Sequence, residues 1–143
     1  DGMVGDSLPE AIGTDLDGSF GQAPGTDSEG AATLVSIAGD SFDATSPFAA
    51  ESYDAAALIL LAMQAAGSKN PADYKGKVFD VANAPGEQIL PGELAKGMEI
   101  LASGGEIDYV GASNVELIGA GESAGNYREI TIKDAKISVD RYR

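Results

Sequence analysis

With 143 residues, 43% of them hydrophobic, the chain has the size and composition of one globular domain, which argues against disorder. Nine basic residues against 23 acidic ones give a net charge of −14, and eleven acids precede the first cation, Lys69, so the field repels nucleic acid and anionic lipid. The absence of cysteine and histidine removes disulfides, thiolate catalysis, Cys-based metal sites, and the commonest general base and metal ligand.

In chain order, residues 1–7 read as a loop, and 8–12 (LPEAI) as a short helix ended by Gly13. Residues 16–24 (LDGSFGQAP) alternate weakly before a proline, which predicts a short strand running into the linker GTDSEG. Ser28 is placed to cap the helix AATLVSIAG, which Gly39 ends, and SFDATSP forms a loop. The strongest helix signal follows, from Thr45 to Gly67 (TSPFAAESYDAAALILLAMQAAG). Thr45 or Ser46 is the expected cap, Pro47 suits the first turn, Glu51 and Asp54 lie early in the helix dipole, and Gly67 is the stop. From Ala55 to Met63 there is no polar side chain, so near-complete cover is expected. Roughly ten apolar residues are too few to cross a bilayer, which needs about 20.

After Gly67 a polar connection, SKNPADYKG, leads to KVFDVANAP, read as a short helix stopped by Pro85, and to GEQILPG, read as a loop or short hairpin. Leu94, Met98 and Leu101 fall at i, i+4 and i+7 in ELAKGMEILASGG, which predicts a second clear helix. The chain ends in two expected strands, YREITIK and KISVDRY, around the turn Asp134-Ala135. Ile130 and Ile132 share one face of the first strand, and Ile137 and Val139 share a face of the second.

Candidate chemistry is sparse. TDLDGS mimics part of a calcium loop, yet position one would be Gly13 and position twelve Pro24 where a glutamate is required, so a solvated acidic face is the better reading. GAGESAG lacks the strand–GxGxxG–helix context of a phosphate loop and reads as turns. Without His or Cys a nucleophile would need a Lys or carboxylate base. No Ser-x-x-Lys stands in a plausible setting, so an enzyme is not expected and no cofactor is implied. Tyr53 faces Ala56, Ala57 and Leu60 at helical spacing and is assigned to the core, with its hydroxyl expected to find a partner.

Three stretches, SPFAAESYDAAALILLAMQAAGS, PGEQILPGELAKGMEILASGGEIDYVGAS and GAGESAGNYREITIKDAKI, together resemble the C-terminal part of type I periplasmic binding proteins. More closely, they resemble the substrate-binding proteins of branched-chain amino acid (leucine/isoleucine/valine) ABC transporters. The pairing of SYDAA with G-x-x-IDY-x-GAS carries most of the likeness, and the opening DGMVGDSLPEAIGTDLDGSFGQAP fits it.

The resemblance implies an α/β, partial periplasmic-binding-protein-like type I fold. Residues 1–26 would be the end of lobe two and a crossover, 27–112 the latter part of lobe one, and 113–143 a crossover and C-terminal strands returning to lobe two. Such a chain lacks the parallel strands on which its helices normally pack. It is expected to bury its bare face against a second copy, by dimerisation or swapping, or against a missing fragment.

The resemblance also implies two ligand-binding residues. Asp1 would accept hydrogen bonds from a ligand α-ammonium, against the alternative of an exposed terminus whose own amino group disturbs that role. Phe48 would line the pocket, against the alternative of a hydrophobic staple at the helix start. Function follows as an expectation: an extracytoplasmic or periplasmic solute-binding protein that closes two lobes on an amino acid and delivers it to an inner-membrane ABC permease. A ligand-binding sensor domain of the same fold, and an acidic extracellular calcium-binding or structural module, are the alternatives. A chain starting at Asp1 without an initiator Met reads as a processed or truncated product.

Overall fold

The structure is a computed structural model and describes residues 4–143. Its elements run α1 (Ser7–Ile12), a 3-10 turn (Gly13–Leu16), β1 (Phe20–Pro24), α2 (Glu29–Ala38), α3 (Ala49–Ala66), α4 (Pro71–Tyr74), α5 (Lys77–Ala82), β2 (Glu87–Ile89), α6 (Leu94–Ala102), β3 (Ile107–Tyr109), β4 (Leu117–Ile118), β5 (Glu122–Ser123), β6 (Tyr127–Lys133) and β7 (Lys136–Tyr142). The architecture is mixed α/β with small sheets: antiparallel β1-β6-β7, parallel β2-β3 and antiparallel β4-β5. None of the described helices is long and apolar enough to cross a membrane.

The core gathers around α3. Ala57, Leu58, Leu61 and Ala62 pack with Val81 and Ala82 of α5 and with Ile89, Ile107 and Tyr109 of the parallel pair, while Leu94, Met98 and Leu101 of α6 close the cluster. Burying a leucine of this kind stabilises by about 1.5–3 kcal/mol. Gly97 lets α6 approach, since a Cβ there would stand 3.1 Å from Leu61. The expected near-complete cover of α3 is not found. Ile59 is 42% exposed and Leu60 45%, because the elements packed on the helix occupy one face, along Asp54, Leu58, Leu61 and Ala62.

The start of α3 also differs from expectation. Thr45 and Ser46 do not cap it, because Thr45 Oγ1 and the Thr45 amide donate to Asp43 Oδ1 at 2.6 and 2.9 Å, and Ser46 Oγ donates to Asp43 Oδ2 at 2.9 Å. The cap position is Phe48 itself, in the left-handed region at φ 67 and without a side-chain cap bond. The helix end is as expected: Gly67 adopts φ 61, its amide donates to Gln64 O and that of Ser68 to Met63 O, which is the Schellman pattern.

Elsewhere the Ser28 cap forms as expected, with Ser28 Oγ accepting from the Ala31 amide at 3.1 Å. The polar connection after Gly67 holds the short helix α4, which Asn70 caps through the Ala72 amide. GEQILPG supplies not a hairpin but β2, which pairs in parallel with β3 across the α6 crossover, a partner too distant in sequence for local pattern to reveal. In the terminal hairpin the register sets Ile130 against Val139 and Ile132 against Ile137, so the four share one face of the ribbon. Asp134 and Ala135 both have positive φ, as a type I′ turn requires, and their amides donate to Asp17 at 3.0 Å each.

One buried carboxylate ties these parts together. Asp54, 1% exposed, accepts from the Tyr109 hydroxyl at 2.8 Å, the Ala112 amide at 2.9 and 3.1 Å, and the Ser113 amide and hydroxyl at 2.6 Å each. This fixes α3 to the end of β3 and to the turn that follows. Burial, reinforced by the Asp54 charge, raises the Tyr109 phenol far above its ordinary range, so it stays a donor. Gly111 makes room: at φ 62, a Cβ there would lie 2.4 Å from Asp54 Oδ1.

Replacing Asp54 with Ala orphans four buried or half-buried donor groups and should cost about 3 kcal/mol or more, read as a lower urea midpoint with unchanged slope. Gly111→Ala should destabilise by a similar amount. Because its clash is with Asp54, the double variant should fall well short of the sum, and strict additivity in that cycle would contradict the packing described.

Candidate functional site

The segment between β1 and α2, the loop before α3 and the loop leading into β6 enclose a cleft of about 490 Å³. That volume suits a small organic molecule. Its lining includes Thr26, Asp27 and Ser28 from the segment before α2, Thr45, Ser46, Phe48 and Glu51 around the start of α3, and Ser113, Asn126, Arg128 and Tyr142.

Each wall is held by specific bonds. Ser28 Oγ caps α2 while donating to Ala112 O at 3.1 Å, and Gly30 meets Gly111 so closely that a Cβ would stand 1.9 Å from the Gly111 carbonyl oxygen. Asn126 Nδ2 donates to Ser113 O at 3.1 Å and its backbone carbonyl accepts from the Gly25 amide at 3.2 Å, so the loop entering β6 is tied to both crossing segments. These all converge on residues 111–113, the segment that Asp54 fixes.

Phe48 lies on this cleft, 45% exposed, at the point where the chain turns into α3. As the cap residue it does not occupy the preceding position from which a staple packs onto the helix, and its backbone is left-handed. A non-glycine residue in that region costs on the order of 1 kcal/mol or more, and such positions cluster at ligand sites. Asp1 lies outside the described residues. Tyr53 stands at the edge of the core rather than within it, half-buried, and its hydroxyl accepts from the Gly92 amide at 3.2 Å.

The lining is mainly apolar, with polar groups and charges of both signs set into it. The Thr45 and Ser46 hydroxyls and the Thr45 amide, with a smaller contribution from the Arg128 charge, hold the Asp43 carboxyl below the usual range. Among the described residues no group of three or more Asp or Glu side chains is placed to hold a metal ion, and Asp17 of the calcium-like loop is engaged by the hairpin turn. A second depression of about 460 Å³, beside α5 and the start of β3, is bordered by turn backbone and by Lys77 and Asp80, which pair with each other at 2.8 Å. Sequence reasoning missed Arg128, Asn126 and Ser113 as cleft residues, since only their meeting through the crossing segments brings them together.

No protein-family model matches this chain, and no solved structure matches it. The chain is similar to the chemotactic signal transduction system substrate-binding protein BasB of Halobacterium salinarum, with 35% identity over 94 residues. That alignment covers 65% of this chain and 23% of the relative's length, and it relates the chain to a substrate-binding protein.

Proposed function

We propose that the chain forms one side of the binding cleft of an extracytoplasmic solute-binding protein that takes a branched-chain or related amino acid. On this reading the fold is part of a type I periplasmic binding protein, and a second body, or another copy, covers the bare face of α3 and completes the cleft. The ligand is enclosed by closure of two lobes, contacts from both favouring the closed state, and no covalent step occurs. The observation that carries the proposal is the cleft of about 490 Å³ whose lining combines an aromatic, Phe48, with hydroxyl and amide groups held by the crossing segments. The likeness to a substrate-binding protein supports it.

Two membrane partners fit this role. Delivery to an ABC permease follows from the resemblance in the sequence. Presentation to a signalling receptor is favoured by the relative's own description as part of a chemotactic signal transduction system. Co-purification of the full-length, ligand-loaded protein with one or the other separates them.

With one side of the cleft present, amino-acid binding should be weak, of order millimolar, equivalent to about 4 kcal/mol. Titrating leucine, isoleucine or valine into the labelled chain should give saturable NMR shifts confined to residues of the cleft, among them Thr26, Phe48 and Asn126. Phe48→Ala should weaken binding about tenfold through lost apolar contact. Shifts scattered over the surface, or micromolar affinity for the isolated chain, would contradict the proposal.

A further inference from the structure

The side of α3 turned away from the core is apolar and open. Ser52, Ala55, Ala56, Ile59, Leu60 and Met63 recur at spacings of three and four, so they fall on one side of the helix, and all but the half-buried Met63 are exposed. The stripe is also free of charge, in a chain whose net charge is −14. Between Glu51 and Lys69 the one charged side chain is Asp54, which is buried on the core side. An uncharged apolar surface of this kind marks a contact with another molecule.

The order of side-chain sizes along the stripe says what fits it. The first half carries the small residues Ser52, Ala55 and Ala56, and the second half the large residues Ile59, Leu60 and Met63. Set antiparallel against an identical helix, about a twofold axis between positions 57 and 58, the stripe meets itself large on small. Ile59 then faces the partner's Ala56, Leu60 the partner's Ala55, and Met63 the partner's Ser52, each contact occurring twice by symmetry. Large side chains set into the gaps over small ones are what two closely packed helices require. A parallel pair would instead set large on large and small on small. The nearest acid, Glu51, falls opposite the partner's Gln64 and not opposite another acid.

We infer that this stripe is a self-association surface, on which a second copy of the chain packs its own α3 antiparallel. The inference selects the second copy over a second body as the cover of α3 named above, and it stands whether or not the cleft takes an amino acid. The stripe runs over 12 residues, about 17 Å of helix, so the contact is smaller than that of a stable dimer, and the affinity is weak, of order 100 μM. The charge of −14 on each copy opposes association, whereas the attraction between uncharged stripes is not screened by salt. Raising the salt from about 0.1 M to 1 M shortens the reach of that repulsion from about 10 Å to 3 Å and tightens the dimer.

The test is sedimentation equilibrium of the chain from about 10 μM to 1 mM in low and high salt, where a monomer–dimer equilibrium at least tenfold tighter in high salt is expected. Ala56→Ile, at an exposed position, fills the gap that takes the partner's Ile59 and should weaken the dimer about tenfold. Adding Ile59→Ala exchanges the large and small positions and should restore most of the loss, with circular dichroism checking that each variant keeps its helices. The chain has no cysteine, so mixing Ala56→Cys with Ile59→Cys chains should give a disulfide-linked pair on mild oxidation. Ser52→Cys alone should give none, because its two copies lie about 16 Å apart along the helices. A chain that stays monomeric throughout assigns the stripe to a second body or another partner and overturns the inference. A dimer indifferent to Ala56→Ile, or cross-linked through Ser52→Cys alone, overturns it as well. None of these readouts involves a ligand, so the inference can fail while the leucine titration succeeds, and the reverse.

Discussion

The Asp54 carboxylate sets the geometry on which the rest of the molecule depends. It sits in the first half of the longest helix and is itself almost wholly buried, a placement tolerable only because donors from Tyr109, Ala112 and Ser113 saturate it. Its partners come from 55 to 59 residues further along the chain. One side chain therefore joins the helical core to the segment on which α2 and the loop before β6 are both anchored, through Ala112 and Ser113. Loss of those bonds would loosen the core and the cleft together.

That constraint explains why SYDAA and IDYVGAS belong together as a sequence signature. Asp54 of the first is bonded to Tyr109, Ala112 and Ser113 of the second, and Gly111 between them is the residue whose missing side chain lets the carboxylate in. The short-range features were readable for local reasons: Ser28 as a cap, Gly67 as a left-handed stop, and the 94–102 helix from its apolar spacing. The terminal hairpin was readable too, although its tight turn at Asp134-Ala135 has no glycine and instead relies on Asp17, 117 residues away.

The features that sequence missed depend on non-local partners. The hydroxyls of Thr45 and Ser46 were expected to cap α3, but Asp43 lies closer and captures them, leaving Phe48 in a strained conformation at the cleft edge. The uniformly apolar stretch of α3 predicted cover on all sides. The chain supplies cover for only one face, and Ile59 and Leu60 are left half-exposed. Phe48 was named through resemblance, and it lies on the cleft lining. Arg128 was not, because nothing in YREITIK sets its arginine apart from Lys133, which has no ion pair either; only the packing of its stem on Gly25 and the burial of Nε do so.

Amide hydrogen exchange at Ala112 and Ser113 is the most direct test of the central claim, since both lie in an irregular segment with no sheet partner to protect them. If Asp54 holds them, they should exchange as slowly as the amides of Leu61 and Ile89 in the core, through global unfolding alone. Exchange at rates typical of an exposed loop, with the core amides still protected, would contradict the account.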